Sequence, residues 1–249
     1  MALIPLNYSP PSGARELYNN SPQLAECNLR DDQGNRVTQT GRGQQANKDR
    51  GSADRLPVRF ISSAPTLRQC PRPEGPEIAF AGRSNAGKSS VLNRITGSRS
   101  TAKVGKTPGR TRLLNFFAVE GGGRLVDLPG YGYAKAAKTA QHDWQASVND
   151  YLSNRDALQG LVLVSDIRHP GQRFDMELLE WADASELPLL VLLNKADKLG
   201  RNAQAKALKA AKRLTETMPL VEVVLFSATS GLGNDTVVAW LREHLEGGG

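Results

Sequence analysis

The stretch Gly82-Arg83-Ser84-Asn85-Ala86-Gly87-Lys88-Ser89 limits what this chain can fold into more than any other. It follows Glu77-Ile78-Ala79-Phe80-Ala81, which reads as a buried strand, and a helix is expected to begin at Lys88. A G-x-x-x-x-G-K-[ST] pattern between a strand and a helix makes a phosphate cradle. The glycines let backbone N–H groups turn inward, and the helix N-terminus adds its positive end. Lys88 then reaches the β and γ phosphates, and Ser89 offers a hydroxyl to Mg²⁺.

The surrounding chain has the alternation that such a unit requires. Apolar runs at Ile78-Ala81, Leu113-Val119, Leu125-Val126, Leu161-Val164, Leu189-Leu193 and Val221-Phe226 are separated by amphipathic stretches near 88–96, 141–154, 172–184, 202–217 and 234–245. This pattern predicts an α/β fold with a six-stranded, mostly parallel sheet and helices on both faces, and with the phosphate cradle it resembles the P-loop NTPase class, a Ras-like G domain. Residues 1–57 are rich in Asn, Gln, Gly, Ser, Asp and Arg, with too little apolar periodicity to offset the entropy of ordering. They are expected to be a disordered polar extension, leaving 58–249 as the nucleotide-binding domain. The extension carries Glu16, Glu26, Asp31 and Asp32, which argues against an organelle transit peptide.

Two further loops follow predicted strands. Asp127-Leu128-Pro129-Gly130 comes directly after Arg124-Leu125-Val126, so its carboxylate stands at the carboxyl end of a strand, where open α/β sheets bind ligands. Asp127 can hold Mg²⁺ through water while the Gly130 N–H meets the γ-phosphate. Asn194-Lys195-Ala196-Asp197 follows Leu189-Leu193. An aspartate there suits guanine, because its two oxygens accept from N1–H and the exocyclic N2–H₂, a donor pair adenine lacks. A carboxylate left unpaired by the wrong base is costly, so the contact discriminates against ATP. Asn194 is expected to brace neighbouring loops and the Lys195 stem to cover the base. Phe226-Ser227-Ala228, after the last run, would bring backbone N–H groups to the guanine carbonyl. The ligand is therefore read as GTP or GDP with Mg²⁺.

The fuller wording narrows the match. Gly82 to Ser90, Lys106-Thr107-Pro108-Gly109-Arg110-Thr111, Val126 to Ala134 and Asp166-Ile167-Arg168-His169-Pro170 together resemble the EngB family of bacterial ribosome-assembly GTPases, within the TrmE-Era-EngA-EngB-Septin-like superfamily, from about residue 58 onward. The resemblance implies that Thr111 is the switch I threonine whose hydroxyl joins Mg²⁺ in the GTP state. It also implies that Gly109, Arg110, Thr111, Arg112 and Leu113 lie along the nucleotide, and that the chain serves large-subunit assembly and normal cell division and growth. The residues alone leave Thr107 as a rival to Thr111.

Ras-like proteins place a water-orienting glutamine after the Asp-x-x-Gly motif. Tyr131 stands there in this chain, so slow intrinsic hydrolysis, accelerated by a partner, is expected. Asn85 has two readings: a K⁺ ligand near the transferred phosphate, as in related GTPases with asparagine at this point, or a residue suited to an unusual turn. Lys88, Thr111 and Asn85 are the candidate catalytic residues. His142 and His169 are not needed, because phosphoryl transfer rests on positioning and charge.

A net charge of +7 favours an anionic partner. Lys103, Lys106, Arg110 and Arg112 crowd the switch region, and Lys206, Lys209, Lys212 and Arg213 recur along a predicted helix. Two clusters with no stacking-aromatic motif point to the phosphate backbone of a large RNA surface, and the family resemblance implies that this is ribosomal RNA in a large-subunit precursor. The alternative is a membrane- or transport-associated GTPase. Against it, no apolar run reaches the about 18–20 residues needed to span a bilayer, and no lipidation signal is present. A nucleotide kinase would have no need of Asn194-Asp197. Cys27 and Cys70 have no metal-ligand spacing around them. A cytoplasmic monomer is expected.

Overall fold

The computed structural model describes residues 55–98, 113–131 and 138–246, with side chains of the helix after Lys138 described from residue 146. The expected extension lies outside the described residues except for 55–57, as do Thr107, Thr111 and the switch I cations.

Seven strands form one sheet: β1 (Val58–Ala64), β2 (Glu77–Gly82), β3 (Leu114–Val119), β4 (Arg124–Asp127), β5 (Leu158–Asp166), β6 (Leu189–Asn194) and β7 (Val221–Leu225). Their order across the sheet is β1-β3-β4-β2-β5-β6-β7. Pairing is parallel from β4 through β2, β5 and β6 to β7, and antiparallel for β1 with β3 and β3 with β4. The predicted count of six omits β1. Its sequence, Val-Arg-Phe-Ile-Ser-Ser-Ala, has no continuous apolar run because it is an edge strand with one half-solvated face, and its pairing register shifts between Phe60 and Ser62.

The central strands read as solid apolar runs because both their faces are covered. Helices α1 (Lys88–Thr96) and α5 (Asn234–Glu246) cover one face, through Val91, Leu92, Ile95, Val237 and Leu241. Helices α2 (Lys138–Asn154), α3 (Arg173–Ala184) and α4 (Arg201–Leu214) cover the other, through Tyr151, Leu178, Leu179, Trp181 and Ala211. Trp181 is a core residue, as its apolar spacing predicts; Trp144 lies among the side chains not described.

At the amino-terminal edge of the parallel strands, Glu77 is fully buried and held by several donors. Arg155 donates to it from Nε (2.9 Å) and Nη2 (2.6 Å), the Tyr151 hydroxyl donates at 3.0 Å, and Arg124 Nη1 lies at 3.5 Å. This network ties α2, β2 and β4 together. The strands' carboxyl ends, where the predicted loops emerge, lie at the opposite edge.

Candidate nucleotide site

The P-loop leaves β2 at Gly82, which pairs with Val164 of β5, and turns into α1 at Gly87. Gly87 has φ 97°, and a Cβ there would collide with the Asn194 side-chain amide, so no other residue fits this contact. Asn85 adopts a left-handed conformation with φ 70°, which asparagine tolerates better than most residues. The turn reading of Asn85 therefore has a geometric basis. Ala86 N–H bonds to the Arg83 carbonyl at 3.0 Å, and Ser90 and Val91 N–H bond to the Gly87 carbonyl at 2.9 and 3.0 Å.

Lys88 Nζ donates to Asp127 Oδ1, so the ammonium expected to meet phosphate and the carboxylate expected to meet Mg²⁺ face one space. Half-buried Ser89 stands beside Lys88 at the start of α1. A hydroxyl and a carboxylate are hard oxygen donors that suit Mg²⁺. Among the described residues no group of three or more His, Cys, Asp or Glu could hold a metal ion.

The Asp127-Leu128-Pro129-Gly130 arch is fastened at both ends. Leu128 N–H donates to the Phe80 carbonyl at 3.0 Å. Tyr131 N–H donates to the Gly82 carbonyl at 3.3 Å, and Ser84 N–H donates to the Tyr131 carbonyl at 2.8 Å, a parallel bridge that prolongs the sheet beyond β2 and β4. A Cβ on Gly130 would lie 3.4 Å from both the Gly82 carbonyl oxygen and the Ser84 nitrogen, so the arch rests on the P-loop.

The residues expected to read guanine are braced from several elements. Asn194 is buried, with Nδ2 donating to the Ala86 carbonyl at 2.9 Å and Oδ1 accepting from Ala228 N–H at 3.4 Å. Lys195, left-handed at φ 67°, donates from Nζ to the Asn85 carbonyl at 2.7 Å and pairs with Asp166 at 2.9 Å. Ser227 Oγ donates to Asp197 Oδ1 at 2.6 Å, and this bond is the main cause holding the exposed Asp197 carboxyl below its ordinary range. It stays an acceptor-only carboxylate, as guanine requires. Gln204 of α4 donates to the Ala196 and Leu199 carbonyls at 2.8 and 2.9 Å. Of the three amides in Phe226-Ser227-Ala228, Phe226 N–H is bonded to the Leu193 carbonyl at 3.0 Å and Ser227 N–H to the Leu232 carbonyl at 3.1 Å. The long Ala228 bond makes its amide the one available to a base carbonyl.

Asp166 and Arg168 pair at 2.7 Å across two residues. Arg168, with help from Lys195, holds the Asp166 carboxyl far below the usual carboxylate range. A cleft of about 410 Å³ opens here, lined by Arg83, Ser84, Asn85, Asp166, Arg168 and Asp175 among others, but not by Lys88, Ser89 or Asp197. It shares Arg83 to Ala86 with the expected phosphate cradle and does not reach Lys88 or Ser89.

Sequence reasoning missed Ser165, Asp175 and Gln204. Asp175 lies in the first turn of α3, where an acidic residue reads as a favourable partner of the helix dipole. It is instead 3% exposed and accepts from the Tyr131 hydroxyl and from Ser165 Oγ at 2.9 Å. Leu113 is half-buried just before β3. Gly109, Arg110, Thr111 and Arg112 lie outside the described residues.

Residues 77–195 match the family described as 50S ribosome-binding GTPase. The chain is 50% identical over 183 residues to the probable GTP-binding protein EngB of Vibrio parahaemolyticus, covering 73% of this chain and 84% of the relative. It is also 50% identical over 191 residues to the protein of the same name from Nitrosococcus oceani, covering 76% and 96%. A crystal structure of a probable GTP-binding protein engB superposes with a TM-score of 0.57 at 25% identity, covering 69% of this chain and 99% of that one.

Proposed function

The chain belongs to the EngB family of GTP-binding proteins, and from that premise we propose that it is a slowly hydrolysing GTP switch that binds a precursor of the large ribosomal subunit and assists its maturation, and thereby normal growth and division. The observation that carries the reading is the bond from Asn194 Nδ2 to the Ala86 carbonyl, 2.9 Å, which joins the guanine reader to the P-loop. Base and phosphates are thereby read by one braced unit. In this reading the unit spans 58–249, supported by the start of β1 at Val58, with 1–57 as a polar extension.

Gly82 to Ser89 cradle the phosphates, with Lys88 on the β and γ oxygens. Ser89 and Thr111 would hold Mg²⁺ directly, with Asp127 reaching it through water. Gly109 to Leu113 lie along the nucleotide, Gly130 meets the γ-phosphate, and Asn194 to Asp197 with Phe226 to Ala228 surround the base. Bound Mg²⁺ supplies neutralisation of phosphate charge. Loss of the γ-phosphate releases the Thr111 and Gly130 loops together.

Slow turnover follows from Tyr131. Its ring is buried and its hydroxyl is committed to Asp175, so the side chain at the glutamine position is not free to orient a water. Asn85 contributes a K⁺ ligand in this reading. Hydrolysis is expected to run faster in potassium than in sodium buffer, and equal rates would remove the ion from the account.

The ribosomal part draws on the family description and on α4. Arg201, Lys206, Lys209, Lys212 and Arg213 are exposed along it, the helix contains no acidic residue, and Ala211 faces the core. From first to last the cations span about 18 Å at 1.5 Å per residue, a stripe suited to an RNA backbone. No helix among the described residues is long and apolar enough to cross a membrane. The protein acts in the cytoplasm as a monomer in this reading. Co-sedimentation with large ribosomal subunits, with a non-hydrolysable GTP analogue and with GDP, tests it: binding should be favoured by the analogue and weaken with salt. Binding to anionic liposomes but not to ribosomal particles would overturn it.

A further inference from the structure

Tyr131 is fixed from two directions. Its backbone is bridged to Gly82 and Ser84, and its hydroxyl donates to Asp175, whose other oxygen accepts from Ser165 at 2.9 Å. Its ring also lies 5.7 Å from that of Phe174, centroid to centroid. Three elements therefore meet at one buried carboxylate: the end of the Asp127-Gly130 arch, the end of β5 and the first turn of α3. Gly130 is the residue before this fixed point, and a Cβ on it would lie 3.4 Å from two P-loop atoms, the Gly82 carbonyl oxygen and the Ser84 nitrogen.

We propose that Tyr131, Asp175 and Ser165 form a buried polar pin that sets where the Gly130 amide stands over the P-loop, making Tyr131 and Asp175 positioning residues for recognition of the third phosphate. The inference rests on the GTP-switch reading and deepens it. No ion pair to Asp175 is present among the described residues. Its charge is compensated by two hydroxyls and by the through-space attraction of Arg83, and burial pushes its carboxyl pKa up. Such a pin depends on hydrogen-bond geometry and not on charge strength, so a small displacement of the arch costs it a bond. The cleft along Arg83, Asp166 and Arg168 lets the α3 side of the pin reach the surface, where a bound partner could shift it.

The test measures Kd for GDP and for a non-hydrolysable GTP analogue, with Mg²⁺, on the full chain. Wild type failing to bind either would defeat the GTP reading itself, apart from the pin. Given wild-type binding, Tyr131→Phe keeps the ring but loses the hydroxyl, and should lower analogue affinity relative to GDP by about fivefold, the worth of one buried hydrogen bond. Asp175→Asn retains an acceptor for Tyr131 and should keep most of the ratio, whereas Asp175→Leu should lose it. The triple variant Tyr131→Phe, Asp175→Leu, Ser165→Ala removes every partner at once, so thermal stability should recover towards wild type. The proposal expects its analogue-to-GDP ratio to stay low. A wild-type ratio in Tyr131→Phe, or a ratio that returns with stability in the triple variant, overturns the pin.

Discussion

Two buried carboxylates, Glu77 and Asp175, lie at opposite edges of the parallel sheet, and each accepts from a tyrosine hydroxyl. Glu77 is surrounded by guanidinium groups, with Arg155 at 2.6 Å and Arg124 at 3.5 Å. Asp175 is served by Tyr131 and Ser165, which are neutral. Similar side chains thus do different work. A carboxylate saturated with cationic donors holds three elements in one arrangement, and its removal is felt as lost stability. One held by hydroxyls beside the P-loop keeps its arrangement more weakly, which suits the proposed response of the Asp127-Gly130 arch to a third phosphate.

The contrast can be broken most easily at Glu77. Glu77→Gln leaves the Arg155 guanidinium undercompensated, while Arg124 keeps its 2.8 Å pair with Glu74, and should cost about 3 kcal/mol. For a domain of this size that lowers Tm by about 10 °C. The ratio of GTP-analogue to GDP affinity should not move. A shift in that ratio as large as the one expected for Tyr131→Phe would mean that the two ends of the sheet are coupled and that the contrast is false.

Much of this was legible in the sequence, for identifiable reasons. The P-loop, Asp127-Gly130 and Asn194-Asp197 are contiguous motifs whose chemistry is local, and each follows a strand that reads as an apolar run because both its faces are covered. β1 was not, because a half-solvated edge strand carries Arg59, Ser62 and Ser63 among its apolar residues. The pin was not either: Tyr131 and Asp175 lie 44 positions apart, and nothing in the composition around Asp175 marks it as buried. Gln204 likewise looks like an ordinary solvated helix residue until its bonds to Ala196 and Leu199 are known.

The residues expected to read guanine sharpen the contrast as a third region, because Asn194 and Lys195 both brace backbone carbonyls of the P-loop. Asn194→Ala strands the buried Ala86 carbonyl and should weaken GDP and the GTP analogue alike, by about tenfold. Titration calorimetry checks this, and a selective loss of the analogue would move Asn194 to the phosphate side of the account.

The smallest effect is on pH dependence. Because burial raises the Asp175 carboxyl, the folded state holds that proton more tightly than the unfolded chain does. Its contribution to stability therefore falls as pH rises from the unfolded value of about 4 towards the raised one. Asp166 and Asp197 are held low and act in the opposite sense, their contributions being lost only as pH falls through their depressed values. Asp175→Asn should thus gain on wild type in denaturant unfolding as pH rises above about 4. A difference independent of pH would mean that Asp175 is not penalised by its surroundings, and the contrast with Glu77 would lose its electrostatic basis.

The claim beneath all of these is that Asp197, charged and oriented by Ser227, makes the ligand a guanine nucleotide. Titrating wild type and Asp197→Asn with GTP and with xanthosine triphosphate tests it directly. The account predicts that the variant loses about 100-fold in GTP affinity and comes to prefer the xanthine nucleotide, whose base presents an acceptor where guanine presents a donor. A variant that still binds GTP in preference to the xanthine nucleotide would contradict it.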